Sequence, residues 1–143
     1  SCNLKKKIVQ KDEMENNLRK ILNLGHTFAH AYESYLGFSN KLNHGEAVII
    51  GIKNSLEFSY QKKIIKDKSY NLIKEHINKI PLNKNFKKFF KIKDIDKIIS
   101  FMKSDKKNNS TNINIILLQD FGKVISNYQI NENVLKKFFI SEL

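Results

Sequence analysis

The sequence predicts a mainly α, multi-helix domain that contains one small β-hairpin. Apolar residues recur at spacings of three and four along most of the chain, as amphipathic helices require. Two apolar segments near the C-terminus are instead separated by turn residues around Gly122, as in a hairpin. The 143 residues, 41% of them hydrophobic, suffice for one domain with a proper core. We therefore expect residues 1–143 to form one domain.

The first predicted helix covers residues 12–36, and Gly37 follows as its expected C-terminal cap. The apolar positions of this helix recur at threes and fours: Leu18, Ile21, Leu22, Phe28, Ala29, Tyr32 and Tyr35. A second helix is predicted from His44 to about Ile64. Glu46 lies in its first turn, where the helix dipole favours a carboxylate.

A third helix is predicted from Asp67 to Lys79, ending before Pro81, the only proline of the chain. Residues 82–92 favour neither helix nor strand. A short helix over 94–103 is predicted to open at Asp94, a residue type common at helix N-termini.

The last third of the chain changes character. A polar loop over 104–112 precedes a predicted strand at 113–118, and the residues 119–122 supply a turn before a partner strand at 123–129. A final helix is predicted over 131–143. The residues expected on its buried side are Val134, Leu135, Phe138 and Phe139.

The charge of the chain argues against a nucleic-acid-binding protein. The net charge of +12 comes from 25 Lys and a single Arg spread along the whole chain, whereas nucleic-acid sites favour Arg for bidentate contacts. Anionic small molecules would still be attracted.

No apolar run reaches the roughly 18 residues of a membrane span, and the N-terminal residues lack the apolar segment of a signal peptide. With one cysteine, Cys2, these features predict a cytoplasmic protein.

A stripe of polar residues interrupts the apolar pattern of the first helix. Its spacings of 4, 3, 4 and 3 place all its members on one face of a continuous helix. The members are Arg19, Asn23, His26, His30 and Glu33. Because the rest of this helix is apolar and therefore expected to be buried, the stripe is predicted to line a cavity.

Three of the four histidines fall within 19 residues: His26, His30 and His44. Neutral imidazole is the commonest metal ligand, and histidines four residues apart on a helix can share one ion, so helix geometry alone pairs His26 with His30. The alternative is that these are ordinary hydrogen-bonded histidines. The single Arg19 suggests a planar, bidentate contact with a carboxylate or phosphate.

Residues 19–33 (RKILNLGHTFAHAYE) and 42–52 (LNHGEAVIIGI) resemble the most characteristic stretch of the 3-dehydroquinate synthase family. The resemblance extends to Lys5, to an Asp-Lys-Lys loop starting at Asp105 and to the hairpin after it, so that it spans essentially the whole chain. Ala29 stands where that family usually has Gly. The resemblance implies the C-terminal helical domain of the dehydroquinate synthase-like fold.

The resemblance also implies ligands for a divalent metal, zinc or cobalt. His26 and His44 match two metal ligands of the family, whose remaining protein ligand is a Glu outside this chain. His30 matches a catalytic residue that lies against the substrate, where it either shuttles a proton or orients the phosphate. We follow the resemblance here in place of the pairing of His26 with His30, because two histidines and an incoming carboxylate leave an open catalytic position.

The remaining matched residues are implied to bind an anionic sugar-phosphate substrate. Arg19 and Lys5 match positions that hold its carboxylate. Asn23 and the pair Lys106 and Lys107 match positions near its phosphate.

The implied reaction converts 3-deoxy-D-arabino-heptulosonate 7-phosphate into 3-dehydroquinate and phosphate, a lyase step of the shikimate pathway for aromatic amino acids. It requires NAD, which we expect to be bound mainly by an N-terminal domain outside this chain, because no glycine-rich phosphate loop follows a strand here. No cofactor-binding residue is assigned in the chain. The complete enzyme is expected to be a homodimer, and the domain alone to be inactive.

Two alternatives stay open. Other sugar-phosphate cyclases, and more distantly metal-dependent alcohol dehydrogenases, share the fold and the histidine pattern. Arg19 with Lys5 favours a substrate that carries a carboxylate. The chain could also act alone as a helical module that binds anionic partners; such a module would have no reason to hold zinc.

Overall fold

The computed structural model describes four parts of the chain: residues 2–12, 18–81, 85–104 and 112–143. The elements within these parts are, in chain order, α1 (Cys2–Lys11), a 3-10 helix (Leu18–Asn23), α2 (His26–Tyr35), α3 (His44–Gln61), α4 (Asp67–Asn78), α5 (Phe86–Phe89), a 3-10 turn (Ile92–Asp94), α6 (Ile95–Ser104), β1 (Asn112–Asp120), β2 (Lys123–Asn131) and α7 (Glu132–Ser141). The predicted multi-helix fold with one hairpin is confirmed.

The predicted helix over residues 12–36 is wrong in its first half. Asp12 is not helical, residues 13–17 lie outside the described parts, and Leu18–Asn23 is a 3-10 helix. Gly25 then adopts the left-handed conformation, with φ of 80°, and α2 begins at the next residue. Because left-handed backbone cannot continue a right-handed helix, Gly25 separates the two helical segments.

The other predicted helices agree with the structure to within a few residues. Gly37, with φ of 64°, follows the C-terminal cap of α2 as expected. α4 starts at Asp67, and the helix predicted over 94–103 is α6. The undecided segment 82–92 contains α5, whose first turn is capped by the Asn85 side chain accepting from the Lys88 backbone N–H at 3.2 Å. α1 was not predicted as a helix.

The core is built around the apolar side of α2, which packs against α3, α6 and α7. Phe28 and Tyr32 project from α2 into a group of rings whose centroids lie 5.0–6.4 Å apart. The other rings of this group are Phe86, Phe90 and Phe139. Inside the core, the Asn54 amide of α3 donates to the Tyr32 hydroxyl at 2.6 Å. This hydrogen bond satisfies two buried polar groups at once and joins α2 to α3.

The hairpin covers one side of α3. Antiparallel pairing runs from Asn112 opposite Asn131 to Asp120 opposite Lys123, with two register irregularities between them. The turn contains Gly122 at φ of 71°, a conformation that glycine adopts without strain. The side chains that β1 buries are Ile113, Ile115, Leu117 and Leu118. Both predicted strands are confirmed, and each is longer than predicted.

α7 has its expected buried side, with Leu135, Phe138 and Phe139 inside and Val134 half-buried. Across the described parts of the chain, every helix falls short of the length and apolarity that crossing a membrane would require.

α3 closely approaches the start of α2 at two glycines, Gly25 and Gly51. A Cβ placed on Gly51 of α3 would lie 2.2 Å from the Gly25 carbonyl oxygen, and one placed on Gly25 would lie 2.6 Å from the Ile52 backbone nitrogen. Backbone therefore lies against backbone here, and neither side has a flexible group that could move aside.

Gly51→Ala should consequently destabilise the protein by about 2 kcal/mol or more, because the added methyl group forces α3 away from α2. Gly45→Ala in the same helix is the matched control, since its Cβ would meet its nearest neighbour at an ordinary 3.7 Å. Urea unfolding of both variants measures the difference. Equal losses in the two variants would contradict the close approach.

A second expectation concerns a buried carboxylate between α2 and α6. The Tyr35 hydroxyl donates to Asp94 Oδ1 at 2.5 Å, and the Lys91 backbone N–H donates to Oδ2 at 2.8 Å. The Tyr35 hydrogen bond is the main cause that holds the pKa of Asp94 below its ordinary value. A carboxyl group with a lowered folded-state pKa stabilises the protein above its unfolded pKa, and this contribution is lost as the pH falls through the folded value.

Tyr35→Phe should therefore reduce the free energy of unfolding by a constant amount near neutral pH. That reduction should shrink as the pH falls from the unfolded-state pKa of Asp94 through its lowered folded-state pKa, because the contribution of the ionised carboxylate is lost over that range. Urea unfolding between pH 3 and 7 measures it. Tyr128→Phe is the control, because Tyr128 packs on Phe58 and has no carboxylate partner among the described residues. A difference that is independent of pH would contradict the assignment.

Candidate metal centre

Each of two helices begins with a histidine, and the rings of the two histidines lie close together. His26 is the first residue of α2, and His44 is the first residue of α3. The contacts of Gly25 with Gly51 and of Glu33 with His44 show that the two helices run in opposite directions. The start of α3 therefore lies beside the later turns of α2, where His44 contacts Glu33, and the His44 ring also lies close to the ring of His26.

The start of α3 is held by a capping box. The Asn43 side chain accepts from the Glu46 backbone N–H at 3.0 Å, and the Glu46 carboxylate accepts from the Asn43 backbone N–H at 3.1 Å. This arrangement satisfies two backbone groups at the helix end and fixes the backbone on either side of His44. Glu46 was expected in the first turn of this helix, but the Asn-x-x-Glu spacing that is typical of the box was not recognised in the sequence.

The three imidazoles form a triangle. The ring centroids lie 5.6 Å apart for His26 and His44, 5.7 Å for His26 and His30, and 6.2 Å for His30 and His44. Two imidazoles that bind one ion through nitrogen–metal distances near 2.1 Å have centroids roughly 5 Å apart. The predicted clustering of the three histidines is therefore confirmed, at separations close to those of shared ligands.

His26 is half-buried, and its Nδ1 lies 3.3 Å from the Leu24 carbonyl oxygen. Because a carbonyl only accepts, this contact places the ring hydrogen on Nδ1 and leaves the lone pair on Nε2. Burial lowers the pKa of His26, an effect that the Leu24 hydrogen bond opposes and the nearby His30 and His44 reinforce. The ring is thus held in the neutral form, the form that binds metal.

His44 has a carboxylate on its Nδ1. Glu33 Oε1 lies 3.0 Å and Oε2 3.2 Å from that nitrogen. The Glu33 side chain is 11% exposed, whereas the His44 side chain is 58% exposed. As in His26, this contact places a hydrogen on Nδ1, so that in the neutral ring Nε2 is the nitrogen left to act as a ligand.

The donor set fits a divalent metal held by His26 and His44 together with a ligand from elsewhere. Each ring has an acceptor on Nδ1, which is the usual arrangement of metal-binding histidines. Within the described residues, no group of three or more His, Cys, Asp or Glu side chains is placed to hold a metal by itself.

His30 occupies the third corner of the triangle and is exposed on α2. Across the described residues, its ring contacts are with the other two histidines. It is therefore accessible to a bound molecule.

The polar stripe is not continuous, because Gly25 divides it. His26, His30 and Glu33 share one face of α2, but Arg19 and Asn23 belong to the preceding 3-10 helix. The expectation of one five-residue stripe on one helix is therefore wrong. It assumed regular helix geometry through a glycine that takes a left-handed conformation.

Arg19 and Asn23 nevertheless remain adjacent to α2 in the chain, and both are half-buried. The Arg19 backbone N–H donates to Asp12 Oδ2 at 3.0 Å, which ties the 3-10 helix to the end of α1. Lys5 is exposed on α1. Lys106 and Lys107 lie outside the described residues.

The expectation that the polar stripe lines an enclosed cavity is not met, since His30 is exposed and the His44 side chain is mostly so. A cleft of about 460 Å³ lies elsewhere, lined by residues of α3, α4 and α5 that include Lys53, Glu57 and Lys74. It contains none of the three histidines. The candidate centre is an open face. It is identified by the chemistry of its side chains and not by the size of a cavity.

Comparison with known proteins relates the chain to a family of enzymes. The family model described as 3-dehydroquinate synthase C-terminal matches residues 1–108. The chain is 49% identical over 143 residues to the 3-dehydroquinate synthase of Pelagibacter ubique, covering all of this chain and 39% of that protein. It is 37% identical over 142 residues to that of Endomicrobium trichonymphae, covering 96% and 38%. The chain thus spans about two fifths of the length of these curated relatives.

Solved structures share the fold. A crystal structure of 2-deoxy-scyllo-inosose synthase complexed with carbaglucose-6-phosphate, NAD+ and Co2+ superposes with a TM-score of 0.76 at 23% identity. It covers 97% of this chain, which corresponds to 38% of that one. A second structure of 2-deoxy-scyllo-inosose synthase gives a TM-score of 0.73 at 21% identity.

Proposed function

Because the chain belongs to the 3-dehydroquinate synthase family, we propose that it is the metal- and substrate-binding domain of an enzyme that converts 3-deoxy-D-arabino-heptulosonate 7-phosphate into 3-dehydroquinate and phosphate. Residues 1–143 form its C-terminal domain in this proposal, and an N-terminal domain binds NAD. The enzyme is a cytoplasmic homodimer of the shikimate pathway, and the domain alone is inactive.

The observation that carries the proposal is the pair of imidazoles at the starts of α2 and α3. Their centroids are 5.6 Å apart, and each has an acceptor on Nδ1. In the proposal His26 and His44 bind zinc or cobalt through Nε2, with a carboxylate ligand from the N-terminal domain. A cyclase of the same fold binds Co2+ and NAD+, which supports the choice of cofactors. When bound, the metal polarises a substrate oxygen and stabilises its developing negative charge.

His30 is proposed to act on the substrate beside the metal. It is exposed, and its centroid lies 5.7 Å from that of His26. At that position a neutral imidazole can accept a proton from the substrate or donate one to the departing phosphate. The same hydrogen bonds would orient the phosphate. Proton transfer and phosphate orientation therefore both require the His30 ring to lie exposed beside His26.

The cationic residues are proposed to hold the two ends of the substrate. Arg19 and Lys5 bind its carboxylate, while Asn23 and the lysines 106 and 107 bind near its phosphate. Arg19 suits a planar carboxylate, and its backbone is anchored by Asp12. Fixing both anionic ends keeps the reacting atoms in place through successive steps. The net charge of +12 also attracts a substrate that carries both a carboxylate and a phosphate.

In the complete enzyme, His26→Ala and His44→Ala should each lower metal content and reduce phosphate release by about 100-fold or more, because each removes one of two ligands from this domain. Metal analysis and a phosphate assay measure both effects. His76→Ala is the matched control, since His76 is exposed on α4. Wild-type metal content in either of the first two variants would contradict the proposed centre.

The substrate is tested by comparing two sugar phosphates. The complete enzyme with NAD and Co2+ should release phosphate from 3-deoxy-D-arabino-heptulosonate 7-phosphate and not from sedoheptulose 7-phosphate, which has no carboxylate for Arg19. Arg19→Gln should raise the KM for the first substrate by about 10-fold or more, as expected for the loss of a charged hydrogen bond. Preferred turnover of sedoheptulose 7-phosphate would instead assign the chain to another cyclase.

A further inference from the structure

Glu33 is a buried carboxylate on the histidine face of α2. It lies seven residues after His26 and three after His30, and its residue exposure is 9%. Burying a carboxylate costs free energy unless a hydrogen-bond donor offsets the loss of water. The donor here is the Nδ1–H group of His44. Glu33 therefore has a specific partner across the interface between α2 and α3.

The contact restricts the tautomer of His44. Both carboxylate oxygens lie near one nitrogen, at 3.0 and 3.2 Å. An ionised carboxylate only accepts hydrogen bonds, so Nδ1 must carry a hydrogen. In the neutral ring the lone pair is then on Nε2, the nitrogen that points away from Glu33.

The contact also restricts the orientation of the ring. The capping box fixes the backbone on either side of His44, but a side chain that is 58% exposed has space to rotate about its side-chain bonds. Glu33 reaches it from another helix and is itself fixed by burial. The Leu24 carbonyl oxygen accepts from Nδ1 of His26 in the same way that Glu33 accepts from Nδ1 of His44.

We propose that Glu33 is a positioning residue, whose carboxylate holds His44 in the tautomer and orientation that present Nε2 to the metal. This inference rests on the proposed function and adds a residue to it. The negative charge of Glu33 also makes the imidazole a stronger donor toward a cation. Such partners contribute about 10- to 100-fold to metal affinity in other proteins.

Direct coordination by Glu33 is the rival role. In the structure both Glu33 oxygens face Nδ1 of His44, and the described residues place no third donor with the pair to form a complete site. The two roles differ in the spectrum of the bound metal. A positioning residue changes how tightly Co2+ binds and leaves its ligands unchanged, whereas a ligand changes the ligand set.

The experiment is a Co2+ titration of the metal-free complete enzyme, followed by the visible absorption of the bound ion. Glu33→Gln keeps the size of the side chain and removes its charge, and Glu33→Ala removes the acceptor. The matched control is Glu57→Gln on α3, which removes a carboxylate paired with Lys74 at 3.0 Å and away from the histidines. All titrations are run well below the melting temperature of the least stable metal-free variant.

Glu33→Gln should weaken Co2+ binding by about 10-fold and Glu33→Ala by up to about 100-fold, with the wild-type absorption bands restored at saturating Co2+. Glu57→Gln should bind like the wild type. Unchanged affinity in both Glu33 variants would overturn the inference. Altered bands at saturation would also overturn it, in favour of direct coordination. If the wild-type enzyme itself binds no Co2+, the proposed function fails instead.

Discussion

The contact between Gly25 and Gly51 is the constraint on which the candidate centre depends. Two backbones meet there with no space for a side chain, so the distance between α2 and α3 is set by backbone packing. The same left-handed glycine ends the 3-10 helix and starts α2 at His26. The position of His26 therefore follows from a packing requirement.

The second determinant of the centre is a hydrogen-bond acceptor behind each of the two histidines. Backbone packing brings the rings of His26 and His44 together, but it leaves the direction of their nitrogens open. The Leu24 carbonyl and the Glu33 carboxylate each fix one of those directions. One acceptor belongs to the turn before α2 and the other to α2 itself, so the short segment 24–33 orients both rings.

Much of the fold and the grouping of the histidines could be predicted from the sequence. The helices that correspond to α3, α4 and α6 could be predicted because residues at their ends signal them: Glu46 in a first turn, Pro81 after a last turn and Asp94 at a start. The division of the first predicted helix was missed because a glycine within an apolar pattern is compatible with a continuous helix until its φ is known. The open character of the histidine face was missed for a related reason. Apolar periodicity indicates which side of a helix is buried in the core, but not what covers the other side.

The contact of Glu33 with His44 could not be predicted from sequence spacing either. Its position on the face of His26 and His30 was predictable, whereas its partner His44 lies 11 residues away on another helix. Only the antiparallel packing of α2 and α3 brings the two side chains together. A contact between helices depends on their relative rotation, which neither helix specifies alone.

α2 has two sides with different roles, and almost no residue belongs to both. Phe28 and Tyr32 belong wholly to the core, and His26 and His30 point away from it. Mutations that change the histidine face and mutations that change the packing of the core can therefore accumulate independently on this helix. Glu33 is the exception, being both buried and bonded to His44. Substitutions at Glu33 are therefore constrained from two directions at once, by the packing of the interior and by the histidine face.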